Sequence, residues 1–135
     1  MSGRLILDTN LWVYLYAQNE PKALRVRKLV DGHFSDIVLS TQILGELYPV
    51  MTRKALCTPE QAGIIVNEMC LTFPVLAVAT EHVLRALEIV NGYGYSYWDS
   101  LLLATASPNG CVTVYSEDMQ HNQLIGKLRI INPLR

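Results

Sequence analysis

What the sequence has little of narrows the field first. Only 17% of its residues are charged, against the roughly 25% usual in soluble domains. Eleven Lys and Arg nearly balance twelve Asp and Glu, leaving a formal net charge of −1 at pH 7. A basic field over the whole molecule is thereby excluded, and any phosphate-binding surface has to be local. The three cysteines, Cys57, Cys70 and Cys111, are scattered and form no C-x-x-C pair. That argues against a zinc knuckle or a disulfide framework and for a reducing cytoplasm. No apolar run approaches the ~18 residues of a membrane span. The opening MSGRLILDTN breaks on an acid too early for a signal peptide. Repeats, low-complexity tracts and linkers are missing too. The expectation is one cytoplasmic domain over residues 1–135, with no membrane partner.

What is present is apolar: half of the residues. Short runs at Leu5–Leu7, Ile37–Leu39, Pro74–Val78, Val112–Tyr115 and Arg129–Asn132 read as strands. Most do not alternate with polar residues, as expected of strands buried on both faces of a parallel sheet. Helical spacing fills the intervals. Pro21–Val30 is one such segment, and Gln42–Lys54 is another, with Pro49 removing one of its hydrogen bonds. Thr58-Pro59-Glu60-Gln61 has the form of a capping box with proline in the first turn. Glu81–Asn91 follows a Thr80 cap, and Ser96 heads SYWDSLLLATA. Strands alternating with helices predict a three-layer α/β/α sandwich on a mainly parallel sheet.

Such sheets bind ligands at the carboxyl ends of their strands. Asp8 directly follows the first strand, and Asp118 follows the fourth. Glu46 lies one turn into the helix that leaves the second strand, and Asp99 stands in the first turn of the helix before the fourth. Each acid has an ordinary alternative. Asp8 or Asn10 could cap a helix, Asp99 could complement a helix N-terminus, Asp118 could form an Asx turn, and Glu46 could face water. Together they admit a sharper reading, because Glu46 and Asp99 both emerge beside apolar, core-type positions. Clustered carboxylates repel unless a cation compensates them. Hard oxygen donors select magnesium or manganese, and a water activated in such a site can attack a phosphodiester. Thr9, Asn10 and Ser116 are short hydrogen-bonding residues suited to orienting the acids.

The stretches LDTN at 7–10, LGELY at 44–48, YWDSLLLATA at 97–106 and TVYSEDMQ at 113–120 carry a family likeness. In order and spacing the sequence resembles PIN-domain proteins, and among them the VapC-type ribonuclease toxins of toxin–antitoxin pairs. The closing RIINPL fits as well. The resemblance implies Asp8, Glu46, Asp99 and Asp118 as a metal-binding, catalytic quartet, with Asn10 and Ser116 as accessory positions. It implies an RNA substrate, homodimers and an antitoxin that covers the acidic pocket. One place departs from the pattern: many relatives carry a further Asp where this chain has Gln120, so the resemblance supports one metal better than two.

Other features are open to two readings. Lys22, Arg25 and Lys28 recur on one helix, with Arg27 beside them, and Arg53-Lys54 form a second patch. Arg25 and Lys28 are candidate RNA contacts, or simply a solvated helix face. Tyr97 and Trp98, in NGYGYSYWD, can stack on an unpaired base or fill core and dimer interface. Leu11 to Tyr16 form a nearly unbroken apolar run, read as core together with a partner surface. His33, His82 and His121 share no metal-ligand spacing. Three readings rival a metal-dependent nuclease toxin. They are a binding module on the same fold, a housekeeping nuclease, and a receiver-type signalling domain. The receiver lacks its paired acids, since Asp8 stands alone, and a D-x-D-x-T phosphatase loop fails at Asn10.

Overall fold

The computed structural model describes residues 3–17 and 21–135. Six strands and six α-helices follow one another. They are β1 (Arg4–Leu7), α1 (Thr9–Tyr16), α2 (Pro21–Gly32), β2 (Ile37–Ser40), α3 (Thr41–Arg53) and α4 (Pro59–Thr72). Then come β3 (Val75–Leu76), α5 (Thr80–Tyr93), α6 (Tyr97–Ala106), β4 (Cys111–Tyr115), β5 (Leu124–Ile125) and β6 (Leu128–Ile131). The strands form one sheet in the order β3-β2-β1-β4-β6-β5. All neighbours are parallel except β5 and β6.

The order moves outward from β1 to β3, then returns to the other side of β1 for β4. Right-handed crossovers therefore put the helices of the two halves on opposite faces of the sheet. The helix contacts agree: α1 packs on α2 and α3, α3 packs on α4, and α5 packs on α6. Between β1 and β4 lies the switch point, where a crevice opens at the strands' carboxyl ends.

The core explains the unalternating strands. Ile6, Leu7, Leu39, Val114 and Ile130 have no accessible surface, and all four residues of β2 are buried. Leu11, Trp12 and Val13 close the core from α1, while Tyr14, Leu15 and Tyr16 stay half-buried. The capping box of α4 forms as expected: Gln61 N donates to Thr58 Oγ1, and Thr58 N donates to Gln61 Oε1. Pro49 is accommodated inside a continuous α3.

Several boundaries differ from the sequence expectation. The third strand is only Val75–Leu76, and the last is Leu128–Ile131 rather than Arg129–Asn132. The start of α5 is capped at Ala79, not Thr80, because the His82 imidazole accepts from the Ala79 N–H through Nδ1 at 2.9 Å. The same helix passes Asn91-Gly92 and stops at Gly94, whose φ of 77° only glycine adopts cheaply. Strand β5, which pairs antiparallel with β6 across a turn at Gly126, lies outside the five expected strands. No helix among the described residues is long and apolar enough to cross a membrane.

Candidate active site

The four acids arrive by four routes. Asp8 ends β1 at the N-cap position of α1, yet its side chain makes no capping bond. It accepts instead from the Ser116 hydroxyl, at 3.1 Å, just past the end of β4. Ser116 is fully buried and also accepts from the Asp118 N–H at 3.1 Å. One serine thus sets the positions of two acids from neighbouring strands. Asp118 Oδ2 accepts in turn from Asn10 Nδ2 at 3.1 Å, and Glu46 Oε1 accepts from Thr9 Oγ1 at 2.7 Å. Asp99 is fixed through its backbone, since Ser96 caps α6 by accepting from the Asp99 N–H at 3.1 Å.

These residues line one open cleft of about 360 Å³: Asp8, Thr9, Asn10, Glu46, Asp99 and Asp118 together with Gly45, Pro49, Val50 and Arg53. Burial pushes the Asp8 carboxyl up to about 6, with repulsion from Asp99 and Asp118 adding to it. The Ser116 hydroxyl and the Thr9 N–H pull it partly back. Asp99 is also raised, by burial first and then by Asp118 and Glu46, against a hydrogen bond with Ser96. The cleft thus sets four carboxylates against one cationic lining residue, Arg53, which leaves an excess of negative charge.

As the side chains stand, no group of three or more His, Cys, Asp or Glu among the described residues could hold a metal ion. Glu46 and Asp118 are each turned onto a private donor, an arrangement that keeps like charges apart. The donor set nevertheless suits a hard cation: four carboxylates beside a hydroxyl and an amide, with no thiol or imidazole lining the cleft.

The remaining candidates sort clearly. Arg25 and Lys28 do not line the cleft; Arg25 donates to the Leu134 carbonyl at 2.6 Å, and Lys28 is exposed on α2. Trp98 is 59% exposed and lines a second hollow bordering the first, while Tyr97 is half-buried and meets the Trp98 ring edge-on at 5.0 Å. Gln120 is exposed, and its N–H donates to the Tyr95 hydroxyl. His121 is structural: its Nδ1 accepts from the Asn132 N–H. The sequence reading assigned no role to Glu117, which accepts from the Tyr14 hydroxyl and pairs with Lys22 at 3.1 Å. Glu117 thereby ties the loop carrying Ser116 and Asp118 to α1 and α2. Of the second basic patch, Arg53-Lys54, which the sequence offers as a possible phosphate contact or a solvated face, Arg53 reaches the cleft wall.

A doubly wound α/β fold with an acid-lined cleft at its switch point is the class these features define. The chain belongs to the PIN domain family, whose match spans residues 5–126. Its fold is shared with solved structures of low sequence identity. Mycobacterium tuberculosis VapC20, a sarcin-ricin loop cleaving toxin, is 17% identical with a TM-score of 0.70, over 82% of this chain and 86% of that one. A toxin–antitoxin complex from Klebsiella pneumoniae is 13% identical with a TM-score of 0.71, over 96% and 97%. DNA-bound VapBC from Salmonella typhimurium is 19% identical with a TM-score of 0.71, over 94% and 96%. No curated protein is a significant match to the chain.

Proposed function

We propose that this chain is a magnesium- or manganese-dependent endoribonuclease, the toxin of a toxin–antitoxin pair, working in the cytoplasm as a single PIN-type nuclease domain over residues 1–135. One observation carries the reading: acids from four separate segments of the chain share one open cleft, although burial first and then their mutual repulsion raise Asp8 and Asp99. A fold has no stability reason to gather such charges, whereas a cation-dependent site does. Membership of the PIN family and the fold of a sarcin-ricin loop cleaving toxin support the substrate class.

In this reading Asp8, Glu46, Asp99 and Asp118 hold the cation, and Gln120, a neutral amide, favours a single ion. When bound, the ion offsets charge developing on the phosphate and lowers the barrier to attack by water. The chain's own residues do the rest. Ser116 keeps the Asp8 carboxylate facing the cleft, Asn10 and Thr9 orient Asp118 and Glu46, and one carboxylate takes the proton of the attacking water. Arg53 is placed to meet a backbone phosphate in a cleft that otherwise repels it. Homodimerisation and antitoxin binding would use apolar surface such as the groove of Tyr16, Leu56, Ile64 and Ile65.

The test is cleavage of total cellular RNA by purified protein with manganese or with chelator, beside Asp99→Asn. Metal-dependent cutting lost in the variant is expected. Cutting that survives both chelation and Asp99→Asn would refute the proposal. Binding of RNA without any cutting by intact, inhibitor-free protein would favour a binding module.

A further inference from the structure

A second hollow of about 340 Å³ adjoins the acidic cleft and shares Gly45 and Glu46 with it. Its other walls include Trp98, Gln42, Val78 and Leu101. Three features of this hollow stand out. The Trp98 indole is exposed but not loose: Tyr97 packs against its edge, and Gln42 Nε2 donates to the Trp98 carbonyl at 2.9 Å. Gly45 sits in the interior of α3, where glycine weakens a helix relative to alanine. Among the described residues no steric contact requires it, since a Cβ there would meet no atom within 4 Å. Gly45 belongs to the lining of both hollows, so a methyl added there would sit at their shared border.

The charge balance adds a fourth consideration. A chain of net charge −1 with four carboxylates around one cleft gains little from attracting a polyanion. Affinity for RNA then has to come largely from contacts that ignore charge, and stacking of bases on aromatic faces is the principal one. We infer that the hollow beside Trp98 is a base subsite. A single unpaired base next to the scissile phosphate crosses the bare backbone at Gly45 and stacks on the Trp98 indole. This inference rests on the acidic cleft being a ribonuclease site. It makes an unpaired base, rather than duplex RNA, the element recognised, because a paired base cannot reach the indole.

The experiment uses the full chain and a 12-nucleotide RNA spanning the site cut most strongly in cellular RNA. The same RNA annealed to its complement, and the same RNA with one abasic residue beside the cut, are the comparisons. Trp98→Ala is expected to raise KM roughly ten-fold or more with kcat little changed, and Trp98→Phe to recover most of the loss. Gly45→Ala is expected to raise both the melting temperature and KM, a combination that simple damage to the fold does not produce. Trp12 is only 1% exposed, so emission changes on titration report Trp98. Quenching should appear with the base-bearing RNA and fade with the abasic one. If the wild-type protein cuts nothing, the ribonuclease reading fails, and the emission titration with polyadenylate, read without cleavage, decides the subsite. Equal KM for wild type, Trp98→Ala and Gly45→Ala, or equal cutting of duplex and single strand, would overturn the inference. So would a Trp98→Ala variant impaired only in binding a protein partner.

Discussion

Asp8→Asn should make the cation-free protein more stable while removing its activity. The Asp8 carboxyl lies at about 6 in the fold against 3.8 for the free side chain, chiefly because it is buried and then because Asp99 and Asp118 face it. Between those values the folded chain binds more protons than the unfolded chain, so stability falls as pH rises through that window. The contribution is fully present below about 3.8 and lost above about 6. At about 1.4 kcal/mol per pH unit, the loss reaches at most about 3 kcal/mol at pH 7.5, less whatever water in the open cleft screens. Asparagine keeps the size and the acceptor for Ser116 while carrying no charge. In chelator at pH 7.5 the variant should melt up to roughly 10 °C above wild type. At pH 4 the difference should shrink to about 2 °C, since that pH lies only just above the free side chain's 3.8. Millimolar magnesium should narrow or reverse it, because an ion bound to the folded wild type stabilises by mass action and the variant binds it poorly. Thermal unfolding followed by circular dichroism from pH 4 to 8 reads all three. A variant no more stable than wild type at pH 7.5 in chelator, or one equally stabilised at pH 4, would refute the electrostatic account of the cleft.

Three further substitutions probe separate links. Ser116→Ala removes the donor to Asp8 and the acceptor for the Asp118 N–H inside a fully buried site; it should cost about 1–3 kcal/mol in denaturant unfolding and depress cleavage strongly. Unchanged cleavage would show that Asp8 and Asp118 need no such anchor. Gln120→Asp should tighten manganese binding in calorimetry, and no change would place position 120 outside the ion's reach. Thr58→Ala, remote from the cleft, should lower stability by about 1 kcal/mol through loss of the α4 cap and leave kcat/KM unaltered.

Much of this was legible in the sequence, and the physics says which parts. Leu5–Leu7 and Ile37–Leu39 are buried on both faces, so their composition alone marked them as strands. The Thr58–Gln61 cap was readable because both partners lie within four residues. Helix α1 was less so: LWVYLY is apolar all round and offers no polar face to give a period. The two-residue strand Leu124–Ile125 is too short for any pattern. The acids could be placed because each stands at a strand end or in a first or second helical turn. Gly45 borders both hollows, Arg53 the first and Gln42 the second, through the tertiary placement of α3, which local sequence does not encode. Glu117 is hidden for the same reason, since its partners Tyr14 and Lys22 lie 103 and 95 residues away.

The bond between Ser116 and Asp8 joins residues 108 apart in the chain. Strand β1 is synthesised first, yet its hydrogen-bonding neighbour β4 emerges only after all six helices. The reactive centre therefore cannot be assembled piecemeal from the growing end. It exists only after the slow, non-local pairing that completes the sheet. Under the proposed function, a translating ribosome would carry an inert polypeptide until β4 and the Ser116 loop had emerged. Under the same proposal, that delay would shield the messenger and the machinery making it, and would leave an interval for a neutralising partner to be in place.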